Sequence, residues 1–131
     1  MTNIRSRKFP AVIGEDRSWL AGLHGTDQNT TVGMTVRTSL FPAEAKADGF
    51  IPSGTLVTET AEKDLFGPFD AAAPAGRRHG LLFQYVDTSN GEQDFGTGML
   101  VHGTIFGSKL PGGAAAVANV QAKLPLIVVL P

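Results

Sequence analysis

Three histidines, His24, His79 and His102, are the side chains of this sequence best suited to acid–base or metal chemistry near neutral pH. None belongs to an HExxH or HxH spacing, and none has an acidic neighbour at the close spacing of metal ligands. His102 lies in an apolar run and reads as a pore-lining or core-edge residue with a satisfied ring nitrogen. The carboxylates Glu59, Glu62, Asp64 and Asp70 gather around one segment and contain, in principle, a general acid and a general base. Clustered charge in a loop is more commonly solvated. Arg77 and Arg78, next to Gly76, have the fork geometry to clamp an anion, and serve equally as a solvent-exposed or intersubunit pair. The glycine motifs fail on spacing. FGTGMLVHG lacks the third glycine of the dinucleotide fingerprint and opens a strand where a helix is required, and GTIFGSKL is one residue short of the phosphate-loop pattern. No GxSxG elbow is present. Asn29-Thr30-Thr31 fits a glycosylation triplet, but no secretory signal accompanies it. The residues therefore lead us to expect a protein that is not an enzyme and carries no cofactor or metal.

Composition narrows the partners. The 131 residues suit one domain that buries roughly 68% of its unfolded surface around a single core. A net charge of -1 gives no basic face for a phosphate backbone, so direct nucleic-acid binding is not expected. Cysteine is absent, which removes disulfides, thiolate zinc sites and cysteine nucleophiles together. The first residues lack an apolar run of signal-peptide length and LPLIVVLP is too short to span a bilayer, so the chain is expected to be soluble, unprocessed and without a membrane partner.

The elements that must position these residues are mostly strands. Residues 1–29 are polar and glycine-dotted, with apolar residues that follow no sustained period, and read as an extended arm. Fully extended, it reaches on the order of 95 Å. Its apolar content, including the one tryptophan, is unusual for a solvating tail and suggests docking. From Thr30 to Leu40, apolar and polar residues alternate as in a half-buried strand. DGFIPSG is a turn that launches a second strand, Thr55 to Thr60. Residues 61–80 read as a structured loop pinned by Leu65, Phe66 and Phe69, because Gly67, Pro68, Pro74 and Gly76 disfavour a helix. Leu81 to Thr88 is a near-continuous apolar run, as in a strand covered on both faces. After an Asn90-Gly91 turn, Met99 to Phe106 is the longest strand candidate, with glycines that mark bends or close approach. Gly113 to Lys123 is an alanine-rich helix barred by Pro125, and LPLIVVLP closes the chain as a buried strand.

The order of DGFIPSGTLV, DLFGPFDAAAPAGRRHGLLFQYVDTS, GMLVHGTIFGSKLP and a terminal helix followed by LPLIVVL resembles the bacteriophage head decoration proteins, the lambdoid head-stabilising type, in versions with a longer arm. The resemblance covers Phe41 to Pro131 and is most specific in the loop and strand around residues 64–88. Phe66 and Phe69 stand where that family commonly has aromatic hydroxyls, and Arg77-Arg78-His79 replaces its Arg-Gln-Thr-like run. With the element reading, it implies a mainly β fold: a compact small β-barrel or β-tulip-like domain at 30–131, one short C-terminal helix, and a capsid-docking arm at 1–29.

The function implied is that of a capsid cement. Homotrimers would sit on the outer surface of an expanded virion head, at three-fold and local three-fold axes, bound to the major capsid protein through arms that order against the shell. Arm residues Ile4, Phe9, Val12, Ile13, Trp19 and Leu20 are the expected capsid contacts, because a dispersed apolar chain can add a strand to a sheet edge and fill pockets. Leu65, Phe66 and Phe69 are the expected trimer interface, since aromatics on a glycine-proline loop seldom stay exposed without a partner. Two rivals remain open: a trimeric β-fold hydrolase with an intersubunit site built from Asp64, Asp70, Arg78 and His79, and another virion component such as a tail or adaptor protein.

Overall fold

The computed structural model describes residues 15–26 and 32–131. Among them the strands are β1 (Val32–Arg37), β2 (Phe50–Ile51), β3 (Leu56–Glu59), β4 (Leu65–Pro68), β5 (His79–Leu82), β6 (Val86–Asp87), β7 (Asp94–Leu100), β8 (Gly103–Phe106) and β9 (Ile127–Leu130), with the helix α1 (Gly113–Lys123) between the last two. Strands β1, β4, β3, β5 and β7 close a barrel in that order, while β2–β6 forms a ribbon and β8–β9 a parallel pair. The fold is thus mainly β with one C-terminal helix. Closure satisfies both backbone edges of each barrel strand and leaves nothing there for a partner strand to join.

Alternation explains the interior. In β1, Met34 and Val36 are buried while Thr35 and Arg37 are half-exposed. Arg37 ends the strand, because Thr38 turns aside: its amide and hydroxyl both donate to the Gln93 carbonyl, and its hydroxyl accepts the Gln93 amide at 2.9 Å. Consecutive pairs on three strands, Leu56–Val57, Leu81–Leu82 and Met99–Leu100, are buried on both faces. The second member of the first two pairs and the first of the third fill the barrel with Phe66; their neighbours face Trp19, Ile105, Val120 and Ile127 outside it. The single core expected from chain length is therefore split into two layers by the barrel wall. Gly80 makes the wall thin, since a Cβ there would stand 2.5 Å from the Met99 sulfur.

Two apolar runs are shorter as strands than their sequences imply. Residues 99–106 break at Val101–His102, where the chain leaves the barrel for the outer layer. There His24 and Gly25 cross His102 and Gly103 so closely that a Cβ on Gly25 would fall 1.7 Å from the His102 carbonyl oxygen. Residues 81–88 bend after Leu82, because the Phe83 carbonyl is taken by Arg17 Nε and the Ser53 hydroxyl. The segment expected to be only loop contains β4, which slots between β1 and β3. Helix α1 has the expected bounds. Strand β9 is not fully buried: Ile127 and Val129 face inward, Val128 and Leu130 face out, and Leu126 just before it is exposed.

The arm boundary at residue 29 is overturned. Residues 15–26 belong to the body, and Trp19, 1% exposed, lies in the outer core layer. Its indole N–H donates to the Ser53 hydroxyl at 3.2 Å, and its carbonyl accepts the Phe106 amide at 2.6 Å. Leu20 forms a bridge with Ile105 and packs on the same layer. Trp19 and Leu20 are thus anchors on the protein's own domain, and a shell cannot reach the indole. One isolated bridge leaves no periodic trace in a sequence. The other arm candidates, Ile4, Phe9, Val12 and Ile13, lie outside the described residues.

Candidate functional site

The polar residues of the segment 59–79 meet at one end of the barrel. The turn from β3 to β4 is closed by the Thr60 amide on the Leu65 carbonyl at 2.7 Å, and Asp64 completes it at φ 65°. That turn brings the Asp64 amide to Glu59 Oε2 at 2.9 Å. Arg78, just before β5, donates to the same oxygen from Nε at 3.1 Å and Nη2 at 2.5 Å, and reaches the Asp64 carboxylate as well. Its guanidinium carbon stands 5.4 Å from the centre of the Phe66 ring. The Arg78 hydrogen bonds, helped by the Asp64 amide and opposed by burial, hold the Glu59 carboxyl down at about 2. Glu59 in turn raises Arg78 above its ordinary value. A carboxyl held so low has no proton to donate at neutral pH, which suits a clamp and not a general acid.

The neighbouring residues point the other way. Thr58 pairs with His79 in register, and its hydroxyl accepts the Asp70 amide at 3.0 Å and stands 2.9 Å from His79 Nδ1. The hydroxyl proton is then free for Nδ1, which places the ring proton of a neutral imidazole on Nε2. Burial first, then the charge of Lys123, lowers the His79 pKa, with Asp70 opposing. The Asp70 carboxylate accepts the Ala72 amide at 2.9 Å. A groove of about 380 Å³ runs beside this group, lined in part by Leu40, Phe69, Asp70 and Arg77. Its one hydroxyl held by an imidazole, that of Thr58, is only 3% exposed.

The four residues of the hydrolase reading thus form two pairs and no single constellation. Asp64 joins Arg78, and Asp70 approaches His79 through Thr58. Thr58 and Glu59 are successive on β3, so their side chains leave opposite faces of the sheet. Both pairs tie strands and loops together. His24 and His102 do meet, with ring centres 4.5 Å apart. Among the described residues, however, no three His, Cys, Asp or Glu side chains gather in a form that could hold a metal.

Two of the expected trimer contacts are core residues. Phe66 is fully buried and Leu65 is 7% exposed, both held by β4 inside the barrel wall. Phe69 is half-buried against His79 and the outer layer. The glycine and proline that argued for a loop are accommodated by β4: Gly67 admits Leu40 against the backbone, and Pro68 sits at the strand's last position.

The apolar surface left exposed lies elsewhere. Val128 and Leu130, 57% and 36% exposed, share the outward side of β9, and Leu126, 60% exposed, immediately precedes the strand. Phe106 of β8 is directly across from Leu130 in the parallel pair. Beyond β9 no further strand is paired among the described residues. Beside it, an apolar groove of about 420 Å³ is lined by Val117, Gln121, Val129 and Leu130. Sequence reasoning missed these residues because every position of LIVVL is apolar, which conceals the alternation that marks an outward face.

Compared with known proteins, the chain matches no family model, no curated protein and no solved structure. No helix among the described residues is long and apolar enough to cross a membrane.

Proposed function

We propose that this protein is a structural, non-catalytic binding module that decorates an assembled shell, acting as the cement of a phage head. In this reading it assembles as homotrimers on the outer surface of the capsid, at three-fold and local three-fold axes, and stabilises the expanded head by binding the major capsid protein. The observation that carries the binding reading is the outward face of β9. Val128 and Leu130, with Leu126 just before the strand, form an apolar stripe along an edge strand, where an isolated domain would place polar or charged residues. The sequence resemblance supplies the identity of the partner. Contacts between copies are assigned to this stripe, since Leu65 and Phe66 are consumed by the core.

The arm is correspondingly shorter. Residues 1–14 precede the Trp19 anchor and can reach the shell, whereas removal of 1–29 would take part of the core with it. The test is electron cryomicroscopy of expanded, undecorated shells mixed with the full chain, the chain lacking residues 1–14, and Val128→Asp. Trimeric density at three-fold positions with the full chain, weakened by the deletion and by Val128→Asp, is the expected result. Bare shells with all three proteins would overturn the reading.

A further inference from the structure

One short pattern occurs twice in the chain. Leu23-His24-Gly25-Thr26 and Val101-His102-Gly103-Thr104 both read apolar-His-Gly-Thr, far apart in sequence. In the fold the two copies cross. Leu20 bridges Ile105 in antiparallel fashion and the Ala21 amide donates to the Thr104 carbonyl at 3.0 Å, so the segments run past each other in opposite directions. Thr26 then closes a turn around His24, donating to the Leu23 carbonyl from its amide at 3.1 Å and its hydroxyl at 2.6 Å. At the crossing, each histidine's carbonyl packs against the glycine of the other copy. Gly25 and Gly103 have φ of 88° and 147°, and a Cβ on Gly103 would stand 2.6 Å from the His24 carbonyl oxygen, just as one on Gly25 would collide with that of His102. Both glycines are required for so close an approach.

That approach sets the two imidazoles side by side, with ring centres 4.5 Å apart and planes tilted by 59°. His24 is exposed and His102 is half-buried. The Nδ1 atom of His102 is buried and has no hydrogen-bond partner among the described residues. A buried ring nitrogen in that condition calls for an explanation, and an ion is one of the groups that satisfy it. Imidazole suits the late first-row metals. With metal–nitrogen bonds of about 2.0–2.1 Å, two imidazoles on one ion have ring centres about 4.5 Å apart at a right angle and about 5.2 Å apart at the tetrahedral angle. The observed spacing matches the right angle, the geometry of tetragonal Cu²⁺ or Ni²⁺. Because His24 is exposed, its ring can turn about χ2 to present a nitrogen with little movement of its centre.

We propose that His24 and His102, brought together where the two His-Gly-Thr turns cross, form a bis-imidazole site for a late divalent transition-metal ion, Cu²⁺ or Ni²⁺. Water completes the coordination, because no third His, Cys, Asp or Glu joins the pair among the described residues. One ligand comes from the segment that carries Trp19 and the other from the crossover between β7 and β8. The ion therefore clasps residues 15–26 to the domain, and its binding free energy adds to folding stability. Spacing rules do not find such a pair, since its ligands are joined by the fold and not by a local motif.

The test titrates the full chain, without an affinity tag, with Cu²⁺ and Ni²⁺. A single Cu²⁺ per chain is expected, with two imidazole nitrogens counted by pulsed electron paramagnetic resonance. The thermal midpoint is expected to rise by about 5–10 °C at a hundredfold excess over Kd. His24→Gln, at an exposed position, should fold as the native chain does without metal, lose at least about tenfold in affinity, and lose the rise in midpoint. His102→Gln should do the same, whereas His79→Gln, whose ring is engaged by Thr58, should leave binding unchanged. A single coordinated nitrogen, affinity that survives His24→Gln, an equal loss in His79→Gln, or no binding of either ion would each overturn the proposal. Should His102→Gln fail to fold, the nitrogen count and His24→Gln decide alone. All readouts are taken without shells, so failure of the decoration reading leaves them unaffected.

Discussion

The barrel end at Glu59 and the outer strand β9 handle their side chains in opposite ways. At the barrel end, polar groups are answered within the chain: Arg78 holds the Glu59 and Asp64 carboxylates, and the Thr58 hydroxyl joins the Asp70 amide to His79. At β9 the apolar side chains of Leu126, Val128 and Leu130 are left without cover among the described residues. The contrast teaches where binding is to be sought. Polar groups that satisfy one another contribute rigidity and have little left for a substrate, while exposed apolar area contributes free energy only when something covers it.

The largest way to break this contrast is to undermine the layer on which β9 stands. Trp19→Ala should cost about 3–5 kcal/mol by chemical denaturation, as expected for a buried tryptophan replaced by a cavity. A loss under about 1 kcal/mol would return Trp19 to a free arm. Next, Glu59→Gln should cost about 1–3 kcal/mol at pH 7, because Arg78 and the Asp64 amide lose a charged acceptor.

The pH dependence sharpens the same point. Glu59 ionises near 2 when folded and near 4.5 when not, so its contribution is full above 4.5 and is lost as pH falls toward 2. Denaturation midpoints measured across that window should fall in the native protein and change less in Glu59→Gln. A smaller effect belongs to His79, whose folded pKa lies below 6.5. The unfolded chain takes up the proton first, so stability is full above 6.5 and declines as pH drops through the folded value. His79→Gln should remove that decline from the midpoint curve.

On stability, the smallest effect is expected at β9. Val128→Asp should shift unfolding of the single chain, measured at concentrations too low for association, by no more than about 0.5 kcal/mol, since the side chain is more than half exposed there. On the proposed trimer, its effect should appear instead in sedimentation, as a shift from trimer to monomer. A trimer unchanged by Val128→Asp would show that the copies meet elsewhere.

Much of the fold was written locally. The alternation of Met34 and Val36 marked β1, Gly113 to Lys123 with its terminal Pro125 bounded α1, and Pro52-Ser53-Gly54 placed the turn before β3. Those signals are short-range, since side-chain period, helix propensity and turn chemistry each act over a few residues.

What only the tertiary structure decided depends on contacts between distant residues. Trp19 became core through Ser53 and Phe106, and Phe66 became core through β1 and β3, although each sits in a stretch that looks like arm or loop. Glu59 and Arg78 became a clamp because closing the barrel brings β5 beside β3. In LIVVL the residue types are all apolar, so pattern cannot tell inside from outside; pairing with β8 alone turned Ile127 inward and left Val128 facing out. Sequence determined which segments extend, coil and turn, because those preferences are local. Burial belongs to a residue and its neighbours in space, and was therefore decided only when the barrel closed.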